Sequence, residues 1–210
     1  TLALHHANES LALRRTLVSY DPTNAEWKSG LAVAYNVLGR LQFEIGDLER
    51  ALDSFLKDLD LAQTLVEDDP QNAFWKEGLA GTYASLGRVY EAQGELDMAI
   101  EMNMAGLFIV KSLLSKDQSN FYWQEHFLQL QTQLTAGLRL QGKHEEGARN
   151  LIGALSFAMA NDTEIRKNKP WSESVIEACD ELSEFGDLFN GYEYDEYTNA
   201  SDFCRNWISS

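Results

Sequence analysis

Apolar side chains between Leu31 and Ile45 return at helical spacing, at Leu31, Val33 or Ala34, Tyr35, Leu38, Leu41 and Ile45. That is the period of one helix face, and the pattern stops at Gly46-Asp47. It resumes through Leu48, Ala51, Leu52, Phe55, Leu59 and Leu65 and stops again at Asp69-Pro70. Asn24, ahead of the first run, has a side chain able to accept from an otherwise unpaired first-turn amide. The pattern predicts a helix after Asn24, a short turn at Gly46 and a second helix reaching the next Asp-Pro. Glycines at 46, 94 and 142 suit such a turn, where a positive φ is cheapest without a Cβ. Gly39 and Gly87 fall inside first helices, at a cost of up to about 1 kcal/mol each relative to alanine. Close approach of the partner helix is the expected compensation, with Ala51 and Ala99 as the small residues opposite.

The hairpin recurs. Asp21-Pro22-x-Asn24-Ala25-x-Trp27-Lys28 returns as Asp69-Pro70-x-Asn72-Ala73-x-Trp75-Lys76, a shift of 48. Gly30, Leu31, Tyr35, Leu38, Gly39 and Arg40 recur as Gly78, Leu79, Tyr83, Leu86, Gly87 and Arg88, and the full period holds about 18 identities in 48. A weaker third copy keeps Asp117, Asn120, Trp123, Leu134 and Gly142 but has Gln131 and Thr135 in place of Tyr and Gly. One more step reaches Asn168 and Trp171, predicting a fourth first helix from about Asn168 to Phe189. Stepping backward lays Leu11, Leu13 and Leu17 on Leu59, Leu61 and Leu65. The expected order is a second helix of a truncated repeat over 1–20, repeats over 21–68, 69–116 and 117–164, and a helix plus cap over 165–210, all in one continuous solenoid domain.

These residues resemble the tetratricopeptide repeat. The family's aromatic-x2-Leu-Gly-x2-Tyr pattern stands as Tyr83-x2-Leu86-Gly87-x2-Tyr90 and, less completely, as Tyr35-x2-Leu38-Gly39-x2-Gln42. Its turn glycine corresponds to Gly94 and Gly46, its second-helix alanine to Ala99 and Ala51, and its following aromatic to Phe55. The family's unit is 34 residues and this one is 48, so the resemblance is to a long-helix variant, similar to arrays on large multidomain bacterial proteins. It implies an all-α fold, a right-handed α-solenoid of antiparallel helical hairpins, in which first helices line a concave groove for a peptide or protein. Carried over by register, the groove positions are Val33, Asn36, Arg40, Phe43 and Glu44, then Gly81, Ala84, Arg88 and Glu91, then Gln129, Thr132, Ala136 and Arg139. Arg40, Arg88 and Arg139 either fork to carboxylates and carbonyls of an extended ligand or pair with acids of their own array.

Composition narrows the partners. The 210 residues hold 33 Asp and Glu against 17 Lys and Arg, a net charge of -16, with 44% hydrophobic residues. So acidic a chain lacks the attraction that dominates nucleic-acid binding and is repelled by an anionic membrane, so neither is an expected partner. Ten acidic and no basic residues lie between Ser172 and Cys204, including Glu177, Asp180, Glu181, Glu184, Asp187, Glu193, Asp195 and Glu196, beside Tyr192, Tyr194 and Tyr197. This stretch reads as a solvated cap or as a docking face for a basic partner. The row Trp27, Trp75, Trp123 and Trp171 marks the repeats and is expected to wedge neighbouring units rather than face a ligand. Phe203, Trp207 and Ile208 suit a last short helix packing back on the array.

Catalytic signals are missing from the sequence: His5, His6, His126 and His144 belong to no metal-ligand or nucleophile motif, and no phosphate-binding glycine motif occurs. The expectation is a protein with no enzymatic role, cofactor or metal. Cys179 and Cys204, without a CxxC, suit a reducing cytoplasm, a disulfide being open to them but not needed, with Cys179 read as a small buried hydrophobe. Self-association through the first hairpin or the Tyr-rich tail, and a small-ligand sensor with a pocket between helices, are the alternative functions.

Overall fold

The computed structural model describes residues 2–160, 169–185 and 195–208. Within them the fold is all-α, in nine helices: α1 (Leu2–Tyr20), α2 (Ala25–Glu44), α3 (Leu48–Asp68), α4 (Ala73–Gln93), α5 (Leu96–Leu114), α6 (Phe121–Leu140), α7 (His144–Ala160), α8 (Lys169–Ser183) and α9 (Asp195–Ile208). They fall into two compact units, Thr1–Leu113 and Leu114–Ser210, a division that no break in the repeated sequence announces.

The loops before α2, α4 and α6 are built alike. Asn24, Asn72 and Asn120 each accept the backbone N–H three residues on, that of Trp27, Trp75 and Trp123, at 3.0, 3.2 and 3.2 Å. One residue type thus satisfies the same orphan donor three times. Asp21 and Asp117 fold these loops back by accepting from the amide and hydroxyl of Thr23 and Ser119, bonds that hold both carboxyls below their ordinary value. The helices are stopped as uniformly. Gly46, Gly94 and Gly142 have φ of 79°, 79° and 78°, and the residue after each donates to the carbonyl five positions back. That is the Schellman arrangement, which spends two otherwise unpaired carbonyls on the turn.

In the first unit, α1 packs on α2, α2 on α3 and α3 on α4. One core holds Ala7, Leu11, Leu31, Ala34, Tyr35 and Leu38; another holds Ala51, Phe55, Leu86 and Val89. The close approach at the mid-helix glycines is real, but its partner is one turn beyond the expected alanine. A Cβ on Gly39 would stand 2.8 Å from the Phe55 ring, and one on Gly87 would stand 2.5 Å from Asn103 Oδ1. Phe55 and Asn103 are equivalent in the repeat and need the deeper recess, whereas Ala51 and Ala99 are too short to press on the opposite backbone. In the second unit the recess changes sides: Thr135 replaces the glycine, and its hydroxyl donates to the Gly147 carbonyl at 3.2 Å, where the other repeats have alanine.

Around a core of Leu128, Leu151, Leu155, Val175, Leu182 and Phe185, the second unit packs α6 on α7 and α8. α8 is described from Lys169 to Ser183, followed by a turn through Phe185, and the rest of the predicted helix, Asn168 and the stretch to Phe189, lies outside the described residues. The closing helix is longer than anticipated. Ala200, Phe203 and Cys204 of α9 join this core, and Cys204 is disulfide-bonded to Cys179 of α8, with Cα atoms 5.4 Å apart. This corrects the reading of Cys179 as a free hydrophobe, and the inference of a reducing cytoplasm from unpaired cysteines loses its basis. Asp187, Tyr192, Glu193 and Tyr194 lie outside the described residues, as do the side chains of Trp171, Asp195, Glu196, Tyr197, Trp207 and Ile208.

Candidate functional site

The outward stripe of α2 runs Val33, Val37, Arg40 and Glu44, spaced by four, three and four residues, and all four side chains are exposed. Val33 and Val37 are 51% and 44% exposed, uncommon for valines in mid-helix. On α4 the equivalent stripe is Gly81, Ser85, Arg88 and Ala92, with Gly78 one turn before it. A Cβ on either glycine would meet nothing within 4 Å, so α4 presents bare backbone here.

The arginines separate into two kinds. Arg139 is half-buried and forks to Glu181 of α8 at 2.7 and 3.2 Å, with Glu184 at 3.8 Å, so its guanidinium serves the second unit's own ion-pair network. Arg40 and Arg88 have no carboxylate partner among the described residues. Arg88 lies over the Phe43 ring, 4.9 Å from its centroid, which explains why half-buried Phe43 stays at the edge of the core. Three of the other predicted groove residues make local hydrogen bonds. Asn36 donates to Asp58 at 2.9 Å, Thr132 donates to the Leu128 carbonyl, and the Glu91 carbonyl takes the Gly94 amide. Ala84, expected to face a ligand, is buried. Trp27 and Trp75 are half-buried and Trp123 is buried.

Sequence reasoning passed over Asp58. It lies on the apolar stripe of α3 with Ala51, Phe55, Ala62 and Leu65, and is only 4% exposed. Asn36 of α2 and the Thr82 hydroxyl of α4 both donate to its Oδ2, at 2.9 and 2.8 Å, so the side chain ties three helices together. Burial outweighs these two bonds and pushes its carboxyl up from 3.8 to about 6. A signal did exist: the equivalent positions are Ser10, Gly106 and Ala154, so Asp58 puts a charge in an otherwise neutral column. Among 33 acids it was not conspicuous. In the second unit, burial and the charge of Glu173 on α8 raise the carboxyl of Glu125.

Contacts between successive repeats also recur. Arg15 donates to the Tyr35 hydroxyl at 2.7 and 2.9 Å, and its equivalent Gln63 donates to the Tyr83 hydroxyl at 3.1 Å. A second helix is thereby pinned to the following first helix in the same way twice.

Stacked hairpins with recurring caps, turns and junctions define a helical-repeat protein. Solved structures agree: the crystal structure of BtubC (BKLC) from P. vanneervenii matches with a TM-score of 0.58 at 16% identity, over 99% of this chain and 90% of that one. The apo form of RapI matches with a TM-score of 0.58 at 15% identity, over 98% and 77%. At these identities the likeness is one of fold. No family model matches the chain, and no curated protein does. Among the described residues no helix is long and apolar enough to cross a membrane.

Proposed function

We propose that this chain is a non-catalytic scaffold of tetratricopeptide-like repeats whose first unit holds a peptide or protein segment along the outward faces of α2 and α4. The observation that carries this reading is the pair Arg40 and Arg88. In a chain with about twice as many acids as bases, two in-register guanidiniums stay exposed without a carboxylate partner among the described residues. Self-neutralisation would have been easy, as Arg139 illustrates. Exposed Val33 and Val37 add apolar area on the same face, and a preformed helical surface has little ordering cost of its own on binding. The test is capture of a partner by the whole chain against the Arg40→Glu/Arg88→Glu double variant. At least tenfold weaker binding, about 1.4 kcal/mol, is expected; capture unchanged by the double reversal refutes the reading.

One observation favours a second reading, self-association. Leu13, Leu17 and Tyr20 are exposed along one face of α1. Light scattering across a hundredfold concentration range separates the two, since a constant monomer mass removes self-association and leaves the first reading intact.

A further inference from the structure

The junctions α1–α2 and α3–α4 are equivalent positions of the repeat. In the first, Arg14 reaches across to Gly30, and its guanidinium occupies the place where a Cβ on that glycine would stand. In the second, the corresponding pair is Ala62 and Gly78. Alanine is too short to cross, and the space at Gly78 is open to 4 Å. What the chain fills with its own guanidinium in one junction it leaves vacant in the next.

A carboxylate borders the vacancy. Asp58 stands one turn before Ala62, and the Thr82 hydroxyl that donates to it lies 3.0 Å from the Gly78 carbonyl oxygen, so one hydroxyl links the carboxylate to the turn that carries Gly78. Both of its hydrogen bonds go to Oδ2; among the described residues nothing donates to Oδ1, and no Lys, Arg or His pairs with it. Lys57, next in sequence, is turned to Asp53 at 2.5 Å and lies over the Tyr35 ring. A carboxylate held this deep without a counter-charge is unfavourable, and a cation delivered to Oδ1 relieves it. On the surface of the same helices Gly81 carries no side chain and Val33 and Val37 are exposed, so apolar area is available to the residues that flank the arginine.

We infer that the Asp58 notch of the α3–α4 junction is a subsite for the arginine side chain of a partner peptide, whose guanidinium lies where Arg14 lies in the preceding junction and donates to Asp58 Oδ1. This rests on the peptide-binding reading above and gives it a chemical class, a basic segment with apolar residues flanking an arginine. Guanidinium suits the place better than ammonium, because its planar fork matches a carboxylate and it is the more weakly hydrated cation. The chain's net charge of -16 steers such a ligand inward.

The probes are acetyl-Leu-Arg-Leu-amide and its citrulline counterpart, which keeps the shape and removes the charge. Each is titrated into the whole isotope-labelled chain and into the Asp58→Asn variant, with backbone amide shifts as the readout. The arginine peptide is expected to shift the amides of Gly78 and Thr82, with at least tenfold weaker binding for citrulline and a similar loss for Asp58→Asn. Equal affinity for the two peptides, or undiminished affinity in the variant, overturns the subsite. If the Val33 and Val37 amides respond in that case, the broader peptide-binding reading survives. If no amide of α2 or α4 responds to either peptide, the subsite is overturned and the broader reading is weakened with it.

Discussion

Replacing Asp58 by asparagine keeps an oxygen for the Asn36 and Thr82 donors and removes the charge, so it isolates the cost of burying that charge. Burial holds the folded-state carboxyl at about 6 against an ordinary 3.8. The folded state therefore keeps its proton over a range where the unfolded state has lost it, and stability falls as pH rises between about 3.8 and about 6. A displacement of about 2 pH units, at about 1.4 kcal/mol per unit, makes the full cost about 3 kcal/mol above about pH 7. The neutral amide carries no such cost. The Asp58→Asn variant is expected to be more stable than the parent by about 3 kcal/mol near pH 7.5, about 1.5 kcal/mol near pH 5 and well under 1 kcal/mol near pH 4. With two compact units, a single global unfolding curve mixes two transitions, so native-state hydrogen exchange of α3 and α4 amides is the proper assay. A variant less stable than the parent near pH 7.5, or a difference that does not shrink on acidification, would refute the reasoning.

Other substitutions test the packing. Gly39→Ala puts a methyl group against the buried Phe55 ring and is expected to destabilise the first unit by about 1–2 kcal/mol net of its helix propensity, whereas Gly81→Ala, with nothing within 4 Å, should stabilise it by about 0.5–1 kcal/mol; native-state hydrogen exchange of first-unit amides distinguishes the two signs. Asn72→Ala removes the acceptor of the Trp75 amide and should cost about 1 kcal/mol, read as faster exchange in the first turn of α4. Reducing Cys179–Cys204 opens a loop of 25 residues, and on the chain-entropy account should lower the stability of the second unit by about 3.5 kcal/mol, seen in hydrogen exchange of α6 and α7 amides with and without reductant.

The repeat architecture was legible because each of its determinants is local. A helix period, an Asn three residues ahead of a Trp and a glycine between two helices specify caps and turns without knowledge of any distant contact. The arginines were only half legible. Register put Arg40 and Arg88 on one face, but whether an acid lies within reach depends on packing between helices, and Glu181 reached Arg139 from 42 residues away. Asp58 was missed for a related reason, since its burial comes from α2 and α4 closing over it. The cysteine pair illustrates the same limit: nothing in a separation of 25 residues says that α8 and α9 bring the two sulfurs together.

The exchange of recess between Gly39–Phe55, Gly87–Asn103 and Thr135–Gly147 bears on how such an array is recombined. A chimera joining α6 to a second helix from the first unit would set the Thr135 methyl against an alanine and a bulky neighbour, with no hollow on either side to receive them. A matched hairpin carries its own hollow and could move intact. The transferable cassette in this protein is therefore the pair, and single-helix grafts should yield misfits even where every grafted residue is apolar and of ordinary size.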